Sequence, residues 1–127
     1  MSVEVTTLLL CAIGLYASAF MWRKAHRAAL GLLREPSVVQ TPRARAIGRI
    51  PNAAFGMCYY AALAVATLLP AAPVVWWPAL GASLLAALFS AYLAYSLLFV
   101  TRMPCPYCWT THAINWALPL LLLARHR

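Results

Sequence analysis

Carboxylates are almost missing from this chain: Glu4 and Glu35 are its only acids, against ten lysines and arginines. Charged side chains of both signs make up only 9% of the residues, where a soluble domain carries about a quarter. Hydrophobic residues reach 65% and the mean hydropathy is +0.78. So little charge on so much apolar side chain excludes most cytosolic enzyme folds and intrinsic disorder. Four cysteines in 127 residues are too ordinary for a secreted disulfide scaffold. No convincing internal repeat is present. What remains is a small integral membrane protein of one domain.

The net charge of +8 does not point to nucleic acid. Seven of the ten bases lie between Arg23 and Arg49, Arg125 and Arg127 close the chain, and Arg102 stands alone. They flank apolar runs, as charges at a membrane surface do.

Four runs are long enough to cross a bilayer, which takes about 20 apolar residues: Val5–Trp22, Ile50–Leu69, Trp76–Thr101 and Cys105–Ala124. Each must be helical, since lipid offers no partner to an exposed peptide group. The expectation is an all-α, multi-pass protein of the cell membrane, a single domain over residues 1–127 with one polar loop at 23–49. Pro70, Pro73 and Pro78 mark one connection, with Trp76–Trp77 as an interfacial belt. Pro104 and Pro106 mark another, and Pro51 suits the first turn of a helix. The loop would begin with a surface helix whose Ala28, Ala29, Leu32 and Leu33 meet the membrane. The first span has no base before it apart from the amino terminus, so it reads as a retained helix, not a signal peptide.

The unusual residues collect at one side of such a fold. Asn52 starts the second span. Cys105-Pro106-Tyr107-Cys108 opens the fourth, and His112 and Asn115 follow Cys108 at i+4 and i+7 on one helical face. A polar group at this depth belongs in the protein interior. Asn115 suits an interhelical hydrogen bond, and His112 suits either that or chemistry beside the dithiol. Cysteines two residues apart can close a disulfide across one turn. A helix N-terminus stabilises a thiolate, the reactive form. The same spacing with His112 is also that of a zinc site, with His26 the only further ligand in view. The tetrad occurs in soluble glutaredoxins too, but on a βαβ sheet that this chain lacks. Cys11 and Cys58 sit inside spans, about 10–16 Å from the dithiol side at the helical rise, too far for a disulfide. Both read as small buried apolar residues.

Taken together, these residues resemble the vitamin K epoxide reductase family. The run Cys105-Pro-Tyr-Cys-Trp-Thr-Thr-His-Ala-Ile-Asn115 is similar to its C-x-x-C helix. Ile50-Pro-Asn-Ala-Ala-Phe-Gly56 resembles the start of its second helix, and Ser90–Ala94 through Leu98–Val100 its third. The resemblance implies a four-helix bundle that passes electrons between thiols and a quinone of ubiquinone, menaquinone or vitamin K type. It implies that Cys108 faces the quinone and Cys105 a thioredoxin-like protein or small dithiol. It implies further that Asn52 hydrogen-bonds a quinone oxygen, that Phe55 lines the ring pocket, and that His112 stands in for the family's usual tyrosine. The product would be a Cys105–Cys108 disulfide and a hydroquinone. The family's second cysteine pair is missing: residues 23–49 hold no cysteine, and Pro36-Ser37-Val38 stands near where it is expected. An external thiol would then attack the Cys105–Cys108 disulfide directly, at Cys105, expected to be the sulfur nearer water.

A different class of reading is a metal-binding or metal-transporting membrane protein using Cys105, Cys108 and His112; a third is a noncatalytic assembly subunit. Orientation is pulled two ways. The loop carries seven bases and one acid, a side-chain charge of +6, against +1 for the terminal segments with Glu4, Arg125 and Arg127. The positive-inside rule places loop and dithiol in the cytoplasm; the family's habit places the dithiol in the periplasm or lumen.

Overall fold

The computed structural model of the chain describes residues 2–34, 36–45, 48, 50–70 and 72–126. Of the charges counted above, Glu35, Arg49 and Arg127 lie outside them. The described chain is all-helical. Its four helices are α1 (Val3–Ala29), α2 (Asn52–Leu68), α3 (Pro73–Ser96) and α4 (Pro106–His126).

Helix α1 is capped at both ends. The Ser2 hydroxyl accepts from the Val5 amide at 3.2 Å. At the other end Gly31 takes a left-handed conformation, φ +73. The amide of Leu32 bonds the Arg27 carbonyl at 2.9 Å and that of Gly31 bonds Ala28 at 3.0 Å, a Schellman closure that satisfies the last carbonyls. Helix α1 therefore runs past the basic cluster at Arg23–Arg27. The surface helix expected at Ala28 and Ala29 is its last turn, and Leu32 and Leu33 lie beyond its end.

Proline sets the other starts. Pro51 caps α2, and Pro73 opens α3, where a missing N–H removes no helical bond. Helix α3 ends in a π turn, Leu97–Thr101. The Arg102 amide closes it onto the Leu97 carbonyl at 3.0 Å, with Arg102 itself left-handed at φ +53.

Helix α1 packs between α2 and α4, and α3 packs on α4, while α2 and α3 touch far less. Glycine permits the closest approach. A Cβ on Gly14 would lie 2.6 Å from the Tyr60 ring, and one on Gly56 would lie 2.7 Å from the Ser18 hydroxyl. The apolar core fills the half of the bundle near the chain termini, with Leu63, Leu80, Leu118 and Leu122. Trp76 belongs to it: its indole N–H donates to the Leu122 carbonyl at 3.2 Å. The expected aromatic belt is therefore left to Trp77, which is exposed. Arg125 ties that end together, 3.5 Å from Glu4 and donating to the Leu69 carbonyl at 3.2 Å.

Beside the apolar core, several polar side chains are buried while many large apolar ones are exposed. Ser83, Ser90, Ser96, Thr7 and Thr67 are buried, while Val74 is 79% and Leu68 72% exposed. The buried hydroxyls of Thr7, Thr67 and Ser83 bond carbonyls of their own helices. Val3–Ala29 and Pro73–Thr101 are long and apolar enough to cross a membrane; Asn52–Leu68 is apolar but has 17 residues.

Candidate active site

The start of α4 is built around the two cysteines. Pro106 opens the helix, and the sulfur of Cys105 just before it accepts from the Cys108 amide at 3.2 Å. The two residues form a disulfide, with Cα atoms 5.2 Å apart. Between them, the Tyr107 ring stacks on Phe20 of α1, centroids 4.1 Å apart, which draws this segment onto α1. Cys105 is only 6% exposed. That corrects the expectation that it is the sulfur nearer water; Cys108 is the less buried of the two.

Cys108 borders a cavity of about 370 Å³ whose walls come from all four helices and the 38–44 segment. The apolar walls include Met21 on α1, Phe55 on α2 and Phe89 and Leu93 on α3; Asn52 and His112 contribute polar edges. So Cys108, Asn52, Phe55 and His112 share one cavity, and Cys105 does not border it. His112 is 5% exposed, flanked by Trp109 and Trp116 with ring centroids at 5.9 and 6.2 Å. Its Nδ1 has no hydrogen-bond partner among the described residues.

The loop closes the cavity at the dithiol side. Ser37 and Gln40 form a reciprocal capping box around the 3-10 turn Val38–Gln40. In the next turn, Pro42–Arg45, Arg43 reaches α3. Its guanidinium donates to the Tyr92 hydroxyl at 2.6 Å and the Ser96 hydroxyl at 2.8 Å, and lies 5.2 Å from the Tyr92 ring centroid. Asn52 holds the same turn from α2, donating its amide to the Arg43 carbonyl at 2.7 Å. Asn52, which the resemblance assigns to a quinone oxygen, is in the structure a fastening for the loop.

One turn below His112, Asn115 joins three helices. Its Oδ1 accepts from the Tyr60 hydroxyl at 2.6 Å, and its Nδ2 donates to the Ser90 hydroxyl at 2.7 Å. This is the interhelical bonding expected of it. Cys11 is buried, as expected, but Cys58 is exposed. In an α2 that is apolar all round, no stripe marks which side faces inward. His26 stacks beside Trp22 at the end of α1, centroids 5.9 Å apart. Among the described residues no group of three or more His, Cys, Asp or Glu is placed to hold a metal ion, so the zinc reading of Cys105, Cys108 and His112 finds no support in the geometry.

Among the cavity residues not singled out from the sequence are Arg43 and Tyr59. Arg43 was hidden among the loop's bases. Tyr59 lay in an apolar run, though its i+7 spacing from Asn52 placed both on one face of α2.

The sequence profile of the vitamin K epoxide reductase family matches residues 5–123. No curated protein matches the chain significantly. The chain belongs to the vitamin K epoxide reductase family, which makes it an oxidoreductase of the thiol–quinone kind.

Proposed function

From that membership, we propose that the chain is a multi-pass membrane enzyme coupling the Cys105/Cys108 dithiol and disulfide to a lipid-soluble quinone. The observation that carries this reading is the shared cavity, in which the Cys108 side chain and the buried His112 meet apolar walls. Its volume of about 370 Å³ lies within the usual range for small-molecule sites, ~300–1,000 Å³. An unpartnered imidazole nitrogen beside aromatic side chains suits a flat ring carrying oxygens. The distribution of polarity supports membrane embedding: the hydroxyls of Thr7, Thr67, Ser83, Ser90 and Ser96 are satisfied inside and large apolar side chains face outward.

Asn52, Phe55 and His112 hold the ring. A bound quinone supplies the oxidant, taking up two electrons and two protons to become the hydroquinone as the dithiol becomes the disulfide. The chain's own residues do the rest. Cys108 lies in the first turn of α4, where unpaired backbone N–H groups favour its thiolate. Phe55 and Phe89 keep water from the ring. His112 holds or delivers a proton at Nδ1. A thioredoxin-like protein or small dithiol resets the cycle by exchange: its thiolate attacks Cys105, Cys108 leaves as thiolate, and the partner's second thiol resolves the mixed disulfide. Because Cys105 is buried, that attack requires the start of α4 to open. With no loop cysteines as intermediaries, the partner acts on this disulfide itself.

The test is dithiol-dependent quinone reduction by the purified protein in lipid. Cys105→Ala and Cys108→Ala should abolish it, while Cys11→Ala and Cys58→Ala retain most of it. Turnover persisting in Cys108→Ala would overturn the reading. Stoichiometric zinc in protein without quinone reductase activity would favour the metal-binding alternative.

A further inference from the structure

Tyr59 and Tyr60 are neighbours in sequence that line the same cavity but differ in hydrogen bonding. The Tyr60 hydroxyl lies in the core and donates to Asn115. The Tyr59 hydroxyl is buried without any hydrogen-bond partner among the described residues. The same holds there for one other buried side-chain polar atom, Nδ1 of His112. Both residues border the one cavity that Cys108 borders. Buried polar groups are almost always paired, so each exception calls for a cause. Two exceptions on the wall of a single cavity share one cause, a ligand that offers two polar atoms.

We propose that Tyr59 is a binding residue for the quinone head group, its phenol O–H donating to one ring oxygen while His112 Nδ1 meets the other. This rests on the quinone reading above and adds a residue to it. The placement on α2 fits. Asn52, Phe55 and Tyr59 lie on one face at i, i+3 and i+7, with Tyr59 about 10 Å deeper than Asn52 along the axis. Asn52, at the loop end, already has its amide nitrogen on the Arg43 carbonyl. Tyr59 supplies a donor at the inner end, where no backbone N–H is offered by the helix interior. A hydroxyl fixed there also stabilises the oxygen that gains negative charge as the ring is reduced. The pocket therefore selects a quinone over an apolar aromatic of the same size, which would leave both polar atoms unpaired.

The test uses Tyr59→Phe, which removes one oxygen and keeps the ring. Four quantities are measured on the full chain: melting temperature without quinone, the rise in melting temperature on titration with menadione or with ubiquinone-1, the rate at which dithiothreitol reduces the Cys105–Cys108 disulfide, and kcat/KM for each quinone. The expected pattern is a melting temperature unchanged or raised, because a buried unpaired hydroxyl has been removed. Apparent affinity and kcat/KM for at least one of the quinones should fall about tenfold, with the dithiothreitol step within twofold of wild type. A mutant with unchanged affinity and kcat/KM for both quinones, in a wild-type background that is active and depends on Cys108, overturns the role of Tyr59 and leaves the enzyme reading standing. A lowered melting temperature together with unchanged quinone affinity shows a packing role and overturns it too. A wild type that neither binds nor reduces either quinone overturns both readings at once.

Discussion

Replacing Gly14 with alanine measures how closely α1 and α2 meet. The added Cβ would lie 2.6, 2.7 and 2.8 Å from three atoms of the Tyr60 ring, well inside the ~3.5–4.0 Å at which carbon atoms rest. The ring is 1% exposed and its hydroxyl is held by Asn115 at 2.6 Å, so it has no room to swing aside. Either α1 backs away from α2 or the Tyr60–Asn115 bond breaks. Overpacking of this kind costs about 1–3 kcal/mol, and a buried hydroxyl that loses its partner about 1–3 more. Alanine recovers about 1 kcal/mol of helix propensity over glycine. The net expectation is a destabilisation of up to about 2 kcal/mol if one of these losses occurs and about 1–5 kcal/mol if both do. Gly81→Ala is the control: nothing lies within 4 Å of its Cβ, so only the propensity gain of up to about 1 kcal/mol applies. Unfolding of the detergent-solubilised protein, followed by heat or denaturant, should move the two variants in opposite directions. If Gly14→Ala proved as stable as Gly81→Ala, the close contact of α1 on Tyr60 would be wrong.

Arg43→Gln removes both bonds to α3 and the contact with the Tyr92 ring, so amide exchange across residues 38–45 should quicken about tenfold, as expected for ~1.5 kcal/mol lost in a charged hydrogen bond; an unchanged exchange rate would show that the loop is held elsewhere. Arg34→Cys places a thiol on an exposed position of the loop, and the basic loop charge predicts that it resists a membrane-impermeant reagent in intact cells and reacts after permeabilisation; ready labelling in intact cells would place the dithiol outside.

The dithiol and its helix were legible because the chemistry is local: Cys105, Cys108, His112 and Asn115 lie within three turns of one helix, and helical spacing alone puts the last three on one face. Helix existence was legible from apolar runs bounded by proline. The end of α1 was not, because the bases at Arg23–Arg27 looked like the edge of the helix, whereas Gly31 held the stop signal. Inward and outward faces were also hidden. Cys58 and Tyr59 sit side by side in a helix apolar on every side, so nothing local separates the exposed thiol from the phenol on the cavity wall. The stacking of Tyr107 on Phe20 joins residues far apart in sequence, and the joint hold of Asn52 and Arg43 on the loop depends on where α3 stands. Such pairings belong to the assembled bundle, not to any window of residues.

The disulfide closes a ring of chain with a sequence separation of only 3. In the chain-entropy picture a cross-link this short constrains the unfolded protein by about 2 kcal/mol, against almost 5 for one spanning about a hundred residues. Cys105 stands just before α4 and Cys108 in its first turn, so no two helices are joined or released when the bond opens. Under the proposed mechanism, catalysis would thereby be insulated from folding. The bond would be broken and remade at every turnover while the bundle rests on the Tyr60–Asn115–Ser90 chain, the Trp76–Leu122 bond and the packed leucines, none of which changes oxidation state.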